Sequence, residues 1–162
     1  MIKVDIQIAC ENYNVPSKED FETWIMLSIR NIDFILEQDF EIGVRVVNEN
    51  ESKRLNKQYR KINQSTNILS FFSSMDDNIR WSKTIPKPLG DLVICAPVIE
   101  REAIEQGKEL YAHWAHMIVH GMLHLVGFDH AVEHEACEME SLEVDILEEL
   151  GFSNPYASQY ME

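Results

Sequence analysis

The chain has 162 residues, enough for one compact domain with its own core, and its formal net charge is −14. Taken as a whole, such a surface should repel nucleic acids and acidic membranes. It has neither an apolar run that could cross a membrane nor the apolar block of a signal peptide, and its three cysteines form no CxxC pair, so we expect a reduced, cytoplasmic protein without membrane contacts.

Hydrophobic periodicity predicts strands and helices mixed along the whole chain. In chain order, the predicted elements are a strand at 2–9, a helix opened by Ser17 and Asp20, a strand at 41–47, a helix after Asn48, strands at 66–71 and 90–95, two helical segments separated at Gly107, and a last helix at 133–149. This pattern predicts a single compact α/β domain, 1–162, with a mixed sheet of about four strands packed with helices.

The helix after residue 48 has a recognisable beginning and a predicted buried side. Asn48 with Glu51 is typical of a helix cap, and Leu55 and Tyr59 are expected to point inward. Residues 73–89, which are polar and contain two prolines, are expected to form a long loop, and loops of this length are often functional.

Charged residues are unevenly distributed. Five basic residues fall within nine positions of the same predicted helix: Lys53, Arg54, Lys57, Arg60 and Lys61. Such a run can bind an anion or form a solvated helix face, and composition alone leaves both interpretations open. Residues 133–149 carry eight acids and no Lys or Arg, and we expect this helix to have a solvated surface.

Three histidines are concentrated in residues 120–130, HGMLHLVGFDH, with the spacing of the metzincin metalloproteases. His120 and His124 are four residues apart on a predicted helix, so they lie on one face and can share a metal ion. Gly127 can end this metzincin-like metal-binding helix in a left-handed turn and return His130 toward the same ion. Three neutral imidazoles with an open fourth position are typical of a catalytic zinc site, although other divalent metals also accept imidazole.

Other polar residues accompany these three histidines. His113 and His116 fall on the same side of the predicted helix, and His116 also stands four residues before His120. That alternative pair lacks a helix-ending glycine and a third histidine downstream. We therefore interpret His116 either as a residue that supports a metal ligand or as a packed residue, and His113 as a surface or core residue. Asp129 either orients His130 through its second ring nitrogen or caps the next segment.

Gly121 separates the motif from the zinc peptidases. At this position a peptidase has a glutamate that takes a proton from the attacking water and passes it to the leaving amine. The sequence places no other carboxylate nearby, so amide hydrolysis is disfavoured. A phosphodiester has a better leaving group, and an arginine such as Arg60 could neutralise its charge. The residues therefore indicate metal-dependent hydrolysis of a substrate other than a peptide.

The motif resembles the HGxLHLxGYDH signature of the YbeY family, bacterial endoribonucleases and ribosomal RNA maturation factors. Further segments resemble the family's LNxxYR…TDVLSFP stretch, its LGDIxI strand and its closing helix; they are 55–72, 89–95 and 139–152. Three positions depart from the family pattern, because Asn67 replaces an aspartate, Phe72 a proline and Phe128 a tyrosine.

The resemblance implies one metal ion per chain, held by His120, His124 and His130 together with water. The three imidazole ligands themselves favour zinc among the divalent metals. The resemblance implies that Arg60 is the functionally important arginine. It also implies action on single-stranded RNA, including 3′-end maturation of small-subunit ribosomal RNA, and a part in ribosome quality control. The other basic residues would then guide the RNA backbone, and the small subunit or a ribosomal protein is an expected partner.

Two further functions stay open at this stage. A ribosome-associated assembly factor would use the metal mainly to brace its fold and leave RNA cleavage to a partner. A zinc peptidase is the third possibility, and Gly121 disfavours it. Metal removal separates the endoribonuclease from the assembly factor. Loss of a structural ion should unfold the protein, whereas loss of a catalytic ion should remove activity and leave most of the structure.

Overall fold

The computed structural model describes residues 2–30, 39–72, 87–126 and 133–156. Their elements in chain order are β1 (Ile2–Ile8), α1 (Lys18–Arg30), β2 (Phe40–Val47), α2 (Glu49–Arg60), β3 (Ile68–Phe72), β4 (Lys87–Cys95), α3 (Ala96–Gln106), α4 (Leu110–Leu125) and α5 (Glu133–Glu149). The predicted α/β class and the mixed four-stranded sheet are confirmed. None of the described helices is both long enough and apolar enough to span a bilayer.

The strands follow the order β1-β2-β4-β3 across the sheet. β1, β2 and β4 run parallel, whereas β3 pairs antiparallel with β4 and forms one edge. β4 begins at Lys87, earlier than predicted, because residues 87 and 88 pair with the start of β2 beyond a register shift. Pro88 is tolerated there because proline, which has no N–H group to donate, is accommodated at bulges.

The two faces of the sheet are covered by different helices. One face forms the main core with α1 and α4, and α5 packs on α4. The opposite face carries a smaller cluster in which Leu69 and Val93 of the sheet pack with Leu55 of α2. Consequently α2 and α4 lie on opposite sides of the sheet.

The beginning of α2 agrees with the prediction, but one of its predicted core residues does not. The side chain of Asn48 accepts a hydrogen bond from the Glu51 amide at 3.0 Å. Tyr59 was predicted to point inward, which is wrong, because it is 58% exposed. The helix buries Ser52 and Asn56 instead, whose side chains donate to backbone carbonyls of residues 66 and 64.

α4 is buried over most of its length, and Gly121 allows it to lie close to the sheet. A Cβ atom at Gly121 would stand 2.5 Å from Cδ1 of Ile68 and 3.1 Å from Cδ2 of Leu92. The hydroxyl of Ser70 donates to the Gly121 carbonyl at 3.0 Å, which fixes β3 to the same turn of the helix. The strand edge therefore lies directly beside the turn that carries His120.

Candidate metal centre

His120 and His124 face each other from successive turns of α4. Their Nε2 atoms are 3.2 Å apart and their ring centroids 4.6 Å apart. Two nitrogen ligands at about 2.0–2.1 Å from a tetrahedral zinc ion stand roughly 3.3–3.4 Å apart. The observed separation therefore fits one edge of such a coordination sphere.

A buried carboxylate on α5 holds the outer nitrogen of His120. Nδ1 of His120 is hydrogen-bonded to Oε1 of Glu143, whose side chain is fully buried. An ionised carboxylate only accepts, so the proton of His120 lies on Nδ1 and the lone pair of Nε2 points toward His124. This arrangement is the usual way in which a protein fixes the tautomer and orientation of a metal-ligating histidine.

The second carboxylate oxygen of Glu143 also accepts hydrogen bonds. Oε2 accepts from Nε2 of His116 at 3.1 Å and from the hydroxyl of Tyr156. Burial raises the pKa of Glu143, but the hydrogen bonds from His116 and His120 outweigh it and bring the pKa to about 2. Glu143 is therefore a fixed negative charge behind the histidine pair.

His116 is turned away from the place where His120 and His124 meet. Its Nε2 also lies 3.2 Å from the Tyr156 hydroxyl, and its ring centroid is 6.3 Å from that of His120. Burial lowers the pKa of His116, although the hydrogen bond to Glu143 opposes this effect. The structure thus places His116 behind His120, on the side of Glu143.

Sequence reasoning missed both Glu143 and Tyr156. The expectation of a solvated acidic helix is wrong at Glu143, because this acid lies in the stripe of α5 that packs on α4. Met139 and Ile146, at helical spacing on either side of it, are buried as well. An acid interrupting an apolar stripe is the signal that could have identified it.

A second polar cluster lies one turn earlier on α4. Nε2 of His113 is 3.0 Å from Oε1 of Glu102 on α3, and Nδ2 of Asn67 donates to the same oxygen at 3.2 Å. Burial raises the pKa of Glu102, but the hydrogen bonds from His113 and Asn67 outweigh this effect. The pKa of Glu102 is therefore lower than that of an ordinary glutamate. An amide at position 67 therefore complements Glu102, whereas an aspartate would bring two carboxylates together.

The remaining predicted metal residues fall outside the structure described. His130, Asp129 and Gly127 lie between α4 and α5, beyond the described residues. Within the described ranges, no group of three or more candidate ligands occurs. His120 and His124 are therefore two candidate ligands, and a metal site completed by His130 stays a prediction.

The predicted basic residues lie on α2 and just after it. Arg60 is the last residue of α2 and is exposed to solvent. α2 and α4 pack on opposite faces of the sheet, and the catalytic role predicted for Arg60 stays a prediction. The other predicted RNA contacts are also exposed; they are Lys53, Arg54, Lys57 and Lys61.

Comparisons with known proteins agree on one family. A family model described as Endoribonuclease YbeY matches residues 5–151. The Endoribonuclease YbeY of Colwellia psychrerythraea is 48% identical over 156 residues, covering 96% of this chain and 97% of that relative. The protein of the same name from Pseudomonas savastanoi pv. phaseolicola is 47% identical over 157 residues, covering 97% and 89%. A solution structure from Thermotoga maritima shares the fold, with a TM-score of 0.54 and 20% identity over 99% of this chain and 92% of that one.

Proposed function

Since this chain belongs to the YbeY family of endoribonucleases, we propose that it is a metal-dependent endoribonuclease that cleaves single-stranded RNA. The observation that supports the metal most directly is the opposed pair of Nε2 atoms on His120 and His124. Two ring nitrogens whose lone pairs point at each other repel unless a cation or proton lies between them.

The proposed metal is one divalent ion per chain, preferably Zn²⁺, with His130 as the third ligand and water in the fourth position. When bound, it supplies Lewis-acid chemistry to a phosphoryl oxygen and to the attacking nucleophile. Glu143 orients His120 and balances part of the added positive charge. His116 and Tyr156 in turn keep Glu143 in place.

Arg60 is proposed to bind a phosphate of the RNA, because its planar guanidinium matches phosphate oxygens. It lies at the end of α2, and the edge strand β3 contacts both α4 and the neighbouring Tyr59, so the RNA would pass the β3 edge to reach both sites. Lys53, Arg54, Lys57 and Lys61 would guide the backbone on the α2 side. Affinity should then fall steeply with salt concentration.

The biological role proposed for this activity is ribosomal RNA processing in the cytoplasm. Its substrate would be small-subunit ribosomal RNA at the 3′ end, and its wider role would be ribosome quality control. The relatives' names support the endoribonuclease class. The small subunit or one of its proteins is the proposed partner.

The alternative of an assembly factor with a bracing metal has less support. Glu143 of α5 already joins α4 to α5 and to Tyr156 through hydrogen bonds between protein groups. A fold tied together in this way does not need the ion to hold these elements. Chelation of the metal should therefore abolish cleavage and leave the far-ultraviolet circular dichroism spectrum nearly unchanged.

The decisive experiment compares wild type, His124→Ala and Arg60→Ala on single-stranded ribosomal RNA, with and without added zinc. Arg30→Ala is a matched control, because Arg30 is an exposed arginine on α1. We expect wild type and Arg30→Ala to cleave and the other two variants to lose most activity. Equal cleavage by wild type and His124→Ala would show that the activity comes from a contaminant. Unfolding on chelation would favour the assembly factor.

A further inference from the structure

Two aromatic side chains are unusually exposed near the β3 edge. Phe72 is 63% exposed and Tyr59 is 58% exposed. Phe71 immediately precedes Phe72, and its ring centroid is 5.0 Å from that of Tyr59 in an edge-to-face contact. Large apolar side chains exposed in one neighbourhood are more informative than single exposed residues, because they often mark a binding surface.

Phe72 lies on the side of the sheet that packs against α4. Side chains alternate along a strand, so Phe72 shares its face with Ile68 and Ser70, which contact Gly121. Phe72 pairs with Gly90, and a Cβ atom at Gly90 would stand 2.6 Å from Cδ1 of Leu125. The end of β3 therefore lies beside the last turn of α4.

His124 is directed toward the same region. At about 100° per residue, it lies about 40° from His120 and about 60° from Gly121 around the helix axis. His120 points to α5 through Glu143, whereas Gly121 faces β3. His124 thus occupies the flank of α4 between its α5 side and its β3 side, next to the strand end that carries Phe72.

Tyr59 lies on the other side of the same strand. It contacts Phe71, whose side chain belongs to the cluster under α2. Tyr59 immediately precedes Arg60, and Lys57 is exposed in the same helical turn. Phe72 therefore lies on the α4 side of the β3 edge, and Tyr59 lies on the α2 side, beside the basic end of that helix.

We propose that Tyr59 and Phe72, the stacking pair, each bind an unpaired base of an RNA strand that crosses the β3 edge. The inference rests on the proposed function and specifies its substrate contacts. Bases stack on aromatic rings without regard to sequence, and only unpaired bases have a free face. The stacking pair would therefore select single strands over duplexes.

Stacking on the two aromatic rings would offset the repulsion between this negatively charged protein and RNA. At −14, the molecule as a whole repels a polyanion, and the five basic residues on and after α2 offset this only locally. Stacking contributes about 1–3 kcal/mol per base and does not depend on the sign of the protein charge. Two such contacts hold a strand that the overall field would otherwise push away.

The test uses zinc-loaded full-length protein and a short fluorescent 2′-O-methyl oligouridylate, whose integrity is checked on a gel. The variants are Phe72→Leu, Tyr59→Leu and Phe72→Trp, with Tyr13→Leu as the matched control. Tyr13 is 38% exposed and follows β1, the opposite edge strand. Each leucine variant should bind about 5- to 150-fold more weakly, which is the energy of one stacked base. Phe72→Trp and Tyr13→Leu should bind like wild type.

Two readouts distinguish stacking from general surface effects. The leucine variants should keep the wild-type slope of log affinity against log salt, whereas Lys57→Gln should reduce it by about 0.7. The difference between wild type and leucine variants should disappear on an abasic strand. Wild-type affinity in both leucine variants, or an equal loss on the abasic strand, would overturn the inference.

Cleavage measured separately on unmodified RNA tells the two proposals apart. If wild type cleaves and His124→Ala does not, while the leucine variants bind normally, only the stacking inference fails. If wild type neither binds nor cleaves RNA, the proposed function fails and the inference fails with it.

Discussion

Glutamine in place of Glu143 removes one charge and nearly keeps the size of the side chain. The carboxylate accepts from His120 on one oxygen and from His116 and Tyr156 on the other. An amide oxygen can replace only one of these acceptors, so the donors on the opposite side face an NH₂ group. One buried unpaired donor costs about 1–3 kcal/mol, which lowers the Tm of a protein of this size by about 2–12 °C. Loss of an outer partner of a metal ligand lowers metal affinity about 10–100-fold.

Zinc affinity is measured by competition with a chromophoric chelator, and the Tm of the metal-free protein by circular dichroism. Glu148→Gln is the matched control, because Glu148 is an exposed acid on the same helix. We expect Glu143→Gln to lose both affinity and stability and Glu148→Gln to lose neither. If Glu143→Gln binds zinc as wild type does and unfolds at the same temperature, the carboxylate does not orient His120.

Three other changes test packing and charge near the site and elsewhere in the fold. Gly121→Ala should lower the free energy of unfolding by about 1–3 kcal/mol in a urea titration, because its methyl group would crowd the sheet; wild-type stability would contradict the close contact. Asn67→Asp should cost about 1.5–3 kcal/mol, because it replaces a donor to Glu102 with a second carboxylate; Tm values at neutral pH that match wild type would refute this. The hydrogen bond from Arg45 lowers the pKa of Glu51, so this stabilisation is complete above the unfolded pKa of about 4.3 and is lost as the pH falls through the lower folded value. Glu51→Gln should flatten that part of the stability profile, and an unchanged profile would speak against the ion pair.

The fold could be predicted from the sequence because its signals are local. Apolar periodicity located every described element, and the Asn48 cap placed the start of α2 correctly. The errors occur where tertiary contacts override local pattern. β4 begins early because Pro88 pairs at a bulge, and Tyr59 is exposed because polar Ser52 and Asn56 occupy the buried side of α2.

The candidate site, like the fold, could be predicted only where local spacing determines it. The spacing of His120 and His124 predicts that they lie on one helix face, and their Nε2 atoms are 3.2 Å apart. Glu143 and Tyr156 come from α5 and the segment after it, so no spacing rule connects them to α4. The position of Arg60 depends on which face of the sheet α2 covers, and periodicity does not specify that choice.

The contact at Gly121 limits how this site can change its chemistry. Ile68 and Leu92 occupy the space into which any larger side chain at position 121 would extend. A glutamate introduced after the first histidine would disturb the core between α4 and the sheet before it could serve as a base. A glutamate at position 121 would therefore require the ends of the Ile68 and Leu92 side chains to shift, or these residues to become smaller. The choice of residue after the first histidine is thus tied to the packing of β3 and β4 beneath the helix.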